Sequence, residues 1–87
     1  MAMVKCYEVH VVTYKNISDI EKSLQSTGLK IEKELVKKGI LYIASGNSIT
    51  VKIMIELYEK KDNEFEYEFK FNDFDDMKYM HDFLENL

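Results

Sequence analysis

Three side chains able to do chemistry occupy alternate positions near the start of the chain, in "VKCYEVHVVTY" at 4–14. Cys6, Glu8 and His10 would share one face of a β-strand, because successive side chains of a strand point to opposite faces. A thiol, a carboxylate and an imidazole could serve as nucleophile, orienting acid and base, or as metal ligands. Alternate strand residues are about 7 Å apart at Cα, whereas catalytic hydrogen bonds span about 3 Å. The spacing therefore favours strand or interface lining over a small enzyme's triad, and whether the three groups converge stays open.

The C-terminal segment carries a second set of polar groups. Asp73, Asp75 and Asp76 could hold a hard cation, but helix capping explains the same residues, and no glycine-punctuated calcium loop surrounds them. His81 is a lone histidine beside an apolar stripe and is typical of a boundary position. We therefore predict no catalytic residue, no cofactor and no metal site in this chain.

Two predicted turns carry four lysines, which we call the basic tip: Lys37, Lys38, Lys60 and Lys61. Because successive hairpins of a meander alternate ends, the turns at 37–39 and 61–63 should lie at the same end. Such a tip suits phosphate contact through counterion release, and it equally suits protection against edge pairing. The chain contains no Arg, the usual side chain for bidentate contact to phosphate or guanine. A nucleic-acid-binding accessory protein is therefore an alternative and not the leading hypothesis.

Length and composition indicate one small globular domain. The chain has 87 residues, of which 46% are hydrophobic, and it has one Cys, too few for an internal disulfide or a cysteine zinc cluster. No apolar run reaches membrane-spanning length and no leader begins the chain, so we expect a cytoplasmic protein without membrane contact. Met1 and Ala2 resemble an added start ahead of a native Met3. The Lys and Glu bias is typical of hyperthermophiles, and suggests an archaeal or archaeal-virus origin.

Charge is distributed unevenly along the chain. Residues 61–87 carry a net charge of −6 and residues 1–60 a net charge of +2, within the overall −4. This asymmetry predicts an acidic C-terminal region, a feature that bears on association more than on fold.

Strict alternation identifies two antiparallel strands, at 48–58 and at 64–71. A three-residue loop at 61–63 would pair Lys60 with Glu64, Leu57 with Tyr67, and Ile55 with Phe69. The Gly46-Asn47 pair predicts a two-residue hairpin turn, because both residues tolerate positive φ. That turn would pair three further positions of the preceding strand: Ala44 with Ile49, Tyr42 with Val51, and Ile40 with Ile53.

Two helices are predicted, one before and one after the run of four strands. A capping box with Ser18 as N-cap favours a helix at 18–27 and a strand at 29–36, although one long helix over 18–38 fits the same pattern. A second helix should follow a cap at Asn72 or Asp73. The predicted fold is an α+β two-layer sandwich of order β-α-β-β-β-β-α, with an antiparallel meander and both helices on one sheet face. The position of the first strand in the sheet stays open.

The uncovered sheet face is the most informative surface in this scheme. The predicted register places four apolar residues there within a charged rim: Leu41, Ile43, Met54 and Tyr58. An apolar centre with a charged rim is the anatomy of a protein interface. We therefore expect a non-enzymatic protein, homodimeric, that binds a protein partner through this face or through its acidic C-terminal region.

Overall fold

The computed structural model describes residues 7–87, which form one antiparallel sheet and three short helices. The elements are β1 Tyr7–Thr13, α1 Ile17–Gln25, β2 Lys30–Val36, β3 Gly39–Gly46, β4 Ile49–Lys61, β5 Glu64–Phe71, α2 Phe74–Tyr79 and α3 His81–Glu85. The five strands lie in the order β1-β5-β4-β3-β2. The α+β class is confirmed, and β1 lies at the edge beside β5. No helix in the described range is long and apolar enough to cross a membrane.

One face of the sheet and two of the helices share a single hydrophobic core. Alternation supplies this core from β3, β4 and β5, because every second side chain of each strand points to the same side. α1 adds Ile20 and Leu24, and α3 adds Phe83, whose ring meets Phe69 edge-on at 6.2 Å. α2 buries no residue fully, so its covering role is smaller than that of the other helices.

The segment at 18–38 is a helix followed by a strand, but the predicted cap is wrong. Asn16 is the N-cap, and its side chain accepts a hydrogen bond from the backbone N–H of Asp19 at 2.9 Å. Asn16 has extended backbone angles, so α1 begins at Ile17, and Ser18 lies inside the first turn. The helix ends at Gln25, where the Thr27 hydroxyl donates to the carbonyl of Leu24 at 2.6 Å.

The turn between β3 and β4 lies one residue later than predicted. Gly46 pairs with Ile49, and Asn47 and Ser48 form the turn with φ of 51° and 64°. The predicted pairing is therefore wrong by two residues, and the observed partners are Ala44 with Val51, Tyr42 with Ile53, and Ile40 with Ile55. A shift of two keeps every side chain on its predicted face, because the strand repeat is also two.

A β-bulge adjusts the hairpin between β4 and β5. The pairs of Ile55 with Phe69 and Leu57 with Tyr67 are confirmed, but the register shifts between Leu57 and Glu59. Lys61 consequently pairs with Glu64, so the predicted pair of Lys60 with Glu64 is wrong and the turn contains two residues instead of three. Tyr58 is the extra residue of the bulge.

The turn between β2 and β3 is also tighter than predicted. Val36 pairs with Gly39, which leaves Lys37 and Lys38 as a two-residue turn. A Cβ atom at Gly39 would clash with the carbonyl oxygen of Ile55, so only glycine allows the neighbouring strand to approach here.

The C-terminal segment forms two helices instead of the single predicted one. Asp73 caps α2 and accepts from the backbone N–H of Asp75 at 3.0 Å, so Asp73 and not Asn72 is the cap. The helical path is interrupted at Met80, whose φ of −90° and ψ of 10° depart from α-helical values. Met80 itself is buried in the core. The order β-α-β-β-β-β-α is therefore correct up to its last element.

Candidate functional site

The sheet face opposite the core carries a contiguous apolar strip across its central strands. Leu41 of β3 is directly paired with Met54 of β4, and Ile43 lies two residues along β3 from Leu41 on the same face. All three side chains are half-buried. We call Leu41, Ile43 and Met54 the apolar strip.

Charged residues flank the apolar strip on both sides. Ile43 is paired with Lys52 on β4 and with Glu32 on β2, and both neighbours are exposed. Leu41 is paired with Glu34 on its β2 side. The row through Ile43 therefore has a cation on one side of the apolar residue and an anion on the other. A second surface packed on this face must match that order of charges.

The other half of the open face is a network of ionisable side chains, which we call the His10 cluster: Glu8, His10, Glu56, Glu66, Glu68 and Lys70. It exists because β1 lies beside β5 and sets His10 opposite Glu68. His10 Nδ1 is 2.8 Å from Glu66 Oε2, and His10 Nε2 is 3.3 Å from Glu68 Oε2. Lys70 Nζ lies 2.8 Å from Glu56 Oε2 and 3.1 Å from Glu68 Oε1. Glu68 thus shares its two carboxylate oxygens between two partners.

The carboxylates of this cluster raise the pKa of both basic groups. The hydrogen bond with Glu66 raises the pKa of His10 above its ordinary value, with further contributions from the charges of Glu68 and Glu8. Partial desolvation opposes that increase. Hydrogen bonds to Glu56 and Glu68 likewise raise the pKa of Lys70, so this side chain stays charged throughout the physiological range.

Tyr58 adjoins the His10 cluster and not the apolar strip. As the extra residue of the bulge it presents its ring to His10, with the ring centroids 5.1 Å apart in an edge-on contact. Its side chain is otherwise accessible, at 61% exposure. Of the four predicted interface residues, three adjoin in the strip and Tyr58 lies over the imidazole.

The four lysines of the basic tip occupy two levels at one end of the molecule. Ile40 pairs with Ile55, so β3 begins level with Glu56, while β4 continues to Lys61. Lys60 consequently lies farther along the strand direction than the Lys37-Lys38 turn. Lys60 Nζ is 5.3 Å from the centroid of the Phe65 ring, a cation–π contact within the β4–β5 hairpin. The arrangement is two separate pairs of lysines.

The acidic residues near the C-terminus serve mainly to begin α2. Asp73 is the cap, and Asp75 and Asp76 lie in the first turn, near the positive end of the helix dipole. Burial raises the pKa of Asp76, and the charges of Asp73 and Asp75 raise it further. His81 is exposed and forms an ion-pair contact with Glu85, with His81 Nε2 3.1 Å from Glu85 Oε1.

Two shallow grooves border the C-terminal helices. One, of about 380 Å³, runs between β1 and the two helices and is lined mainly by apolar side chains such as Val9, Val11 and Met77. The other, of about 520 Å³, lies between α1 and α3. In it Lys15 Nζ donates to the hydroxyl of Ser23 in α1 at 3.5 Å and to the carbonyl oxygen of Asn86, the C-cap of α3, at 3.3 Å, which links the two helices.

Of the predicted group of Cys6, Glu8 and His10, the described residues include Glu8 and His10. Cys6 lies outside the described residues. Glu8 and His10 do share one strand face, and the group that adjoins them is Glu68 of β5, 58 residues beyond His10 along the chain. The alternation of β5 placed Glu66 and Glu68 on the open face, but no local pattern indicates that β1 lies next to them.

Comparison of the chain with protein-family models, with curated proteins and with solved structures finds no match.

Proposed function

We propose that the protein is a non-enzymatic binding protein that acts as a homodimer, with the apolar strip as its contact surface. The observation that carries this proposal is the direct adjacency of Leu41, Ile43 and Met54 on a sheet face that no described element covers. Contiguous apolar patches on a small protein mark interaction surfaces, and a chain of this size gains stability by burying them.

Charge complementarity favours a second copy of the chain as the occupant. In the row through Ile43, Lys52 lies on one side and Glu32 on the other. A two-fold axis parallel to β3, midway between two stacked faces, sets Lys52 against Glu32 of the partner subunit, and the reverse pair follows by symmetry. Stacked sheets pack about 10 Å apart, which brings Leu41 and Ile43 of the two copies into contact, while Met54 on β4 faces Glu34 on β2 of the second copy. A protein partner of matching charge would compete with the second copy for this face.

The experiment compares two double variants by sedimentation velocity across a protein concentration series. Leu41→Glu with Ile43→Glu places carboxylates in the strip and should yield a folded monomer. The matched control, Leu35→Glu with Leu57→Glu, alters two leucines that are 78% and 54% exposed but point to the core side of the sheet. The control should leave the dimer intact. Far-UV circular dichroism verifies that each variant is folded.

A charge swap distinguishes loss of the dimer contact from loss of folding. Lys52→Glu should weaken the dimer by about 10-fold, because two reciprocal pairs become repulsive. Adding Glu32→Lys in the same chain should restore the dimer. A wild-type protein that is monomeric at all concentrations, or a dimer unaffected by the strip variant, contradicts the proposal.

A further inference from the structure

The His10 cluster brings an imidazole nitrogen and two carboxylates from two strands to one point on the open face. The ligand atoms of Glu8, His10 and Glu68 all lie within 4.8 Å of one another. We propose that these three residues bind a divalent transition-metal ion, with Zn²⁺ as the best match for one imidazole and two carboxylate ligands. This site is independent of the proposed dimer contact.

The distance between two of the ligand atoms already suits a common ion. Zinc binds imidazole nitrogen and carboxylate oxygen at about 2.0 to 2.2 Å, which sets two ligands of a tetrahedral ion about 3.3 Å apart. His10 Nε2 and Glu68 Oε2 are 3.3 Å apart. Glu8 is exposed on the edge strand, so its carboxylate can close on the same point by side-chain rotation. Three protein ligands leave a fourth position for solvent.

The second nitrogen of the His10 ring has the partner that metal-binding histidines require. Glu66 Oε2 lies 2.8 Å from His10 Nδ1, so this carboxylate accepts the Nδ1–H and leaves the Nε2 lone pair directed toward Glu68. A carboxylate on the outer ring nitrogen fixes the tautomer and raises the basicity of the metal-binding nitrogen. Glu66 is thus a positioning residue, outside the ligand set.

Lys70 holds Glu68 without occupying the oxygen that the ion needs. Lys70 Nζ contacts Glu68 Oε1 at 3.1 Å, while Oε2 is the oxygen near His10. Four carboxylates converge here against one permanently charged lysine: Glu8, Glu56, Glu66 and Glu68. A divalent cation balances most of the remaining negative charge, and its ligands join β1 to β5. The bound ion should therefore stabilise the edge of the sheet.

The chain supplies its own control in a second group of similar composition. His81, Asp82 and Glu85 also place ligand atoms within 4.8 Å of one another. They lie on one short, exposed helix, and the described residues include no carboxylate within hydrogen-bonding distance of the other His81 ring nitrogen. Substitution of His81 thus removes a histidine and a carboxylate contact without touching the proposed site.

The experiment titrates chelator-stripped protein with Zn²⁺ by calorimetry and with Co²⁺ by visible absorption. We expect one ion per chain in the wild-type protein. His10→Gln and Glu68→Gln should abolish binding, and Glu66→Gln should weaken it by about 10- to 100-fold, the usual effect of losing an outer-shell carboxylate. His81→Gln and Cys6→Ser should bind as the wild type does. Saturating Zn²⁺ should raise the unfolding midpoint of the wild type and leave that of His10→Gln unchanged.

Circular dichroism of each variant in chelator verifies its fold. Three results would overturn the proposal: absence of binding by the wild type at submillimolar Zn²⁺, binding that survives His10→Gln in a folded protein, or binding that disappears with His81→Gln or Cys6→Ser. The Co²⁺ spectrum separates these cases further, because a thiolate ligand adds an intense charge-transfer band that the proposed nitrogen and oxygen ligands do not produce.

Discussion

Two buried tyrosines of the core should respond in opposite ways to loss of their hydroxyl groups. Tyr42 is fully buried, and its hydroxyl forms no hydrogen bond with another described group. The Tyr67 hydroxyl, by contrast, donates to the carbonyl oxygen of Lys15 at 3.0 Å. The substitution of Phe for Tyr therefore removes an unpaired hydroxyl at Tyr42 and an existing hydrogen bond at Tyr67.

The expected magnitudes follow from this difference. A buried polar group without a partner costs about 1 to 3 kcal/mol, so Tyr42→Phe should stabilise the fold by about 1 kcal/mol. A hydrogen bond contributes about 0.5 to 1.5 kcal/mol net, so Tyr67→Phe should destabilise it by about 1 kcal/mol. Burial raises the pKa of Tyr42, and the charge of the nearby Glu21 carboxylate raises it further, although this carboxylate does not meet the distance and angle of a hydrogen bond with the hydroxyl. The hydroxyl of Tyr42 therefore stays protonated at all working pH values.

Urea denaturation followed by circular dichroism measures both changes. For a domain of this size, 1 kcal/mol also moves the thermal midpoint by about 4 to 8 °C, so the two variants should differ clearly. If Tyr42→Phe is as destabilising as Tyr67→Phe, the Tyr42 hydroxyl has a partner, and Glu21 is the first to test. In that case Glu21→Gln should reduce the loss caused by Tyr42→Phe.

Two further predictions test local features of the chain path. Asn16→Ala should cost about 1 kcal/mol because the backbone N–H of Asp19 loses its acceptor, whereas Ser18→Ala should change stability little; chemical denaturation measures both, and a larger loss at Ser18 would return the cap to that residue. Gly39→Ala should destabilise the fold by about 1 to 3 kcal/mol, because the added Cβ meets the carbonyl of Ile55. A neutral result in the same assay would mean that the β2–β3 turn does not approach β4 as described.

The central strands could be predicted from the sequence because their pattern is local. The alternation at 48–58 and 64–71 specifies both the strand type and the face of each side chain. The error in the β3–β4 register was two residues, and the face assignment survived because the strand repeat is two. The turn was placed one residue too early because Gly46 and Asn47 both tolerate positive φ, and in the structure Gly46, Asn47 and Ser48 all adopt it.

The His10 cluster could not be predicted in the same way, because it depends on a contact between the two ends of the chain. Periodicity places His10 on one strand and Glu68 on another, but it does not say that the strands are neighbours. The bulge at Tyr58 also cannot be predicted from a pattern of period two, because it inserts one unpaired residue and shifts the register between Leu57 and Glu59. The residues of this cluster could therefore be grouped only once the order of the strands in the sheet was known.

Nuclear magnetic resonance of a mixed dimer detects contact between the apolar strips of two copies. One copy carries ¹³C-labelled methyl groups and the other is unlabelled, so an isotope-filtered experiment detects only contacts between copies. If the dimer forms through the apolar strip, intermolecular contacts are expected from the methyl groups of Leu41, Ile43 and Met54. Contacts confined to Leu35 and Leu57 on the opposite face, or an absence of any contact at concentrations where the dimer forms, would contradict it.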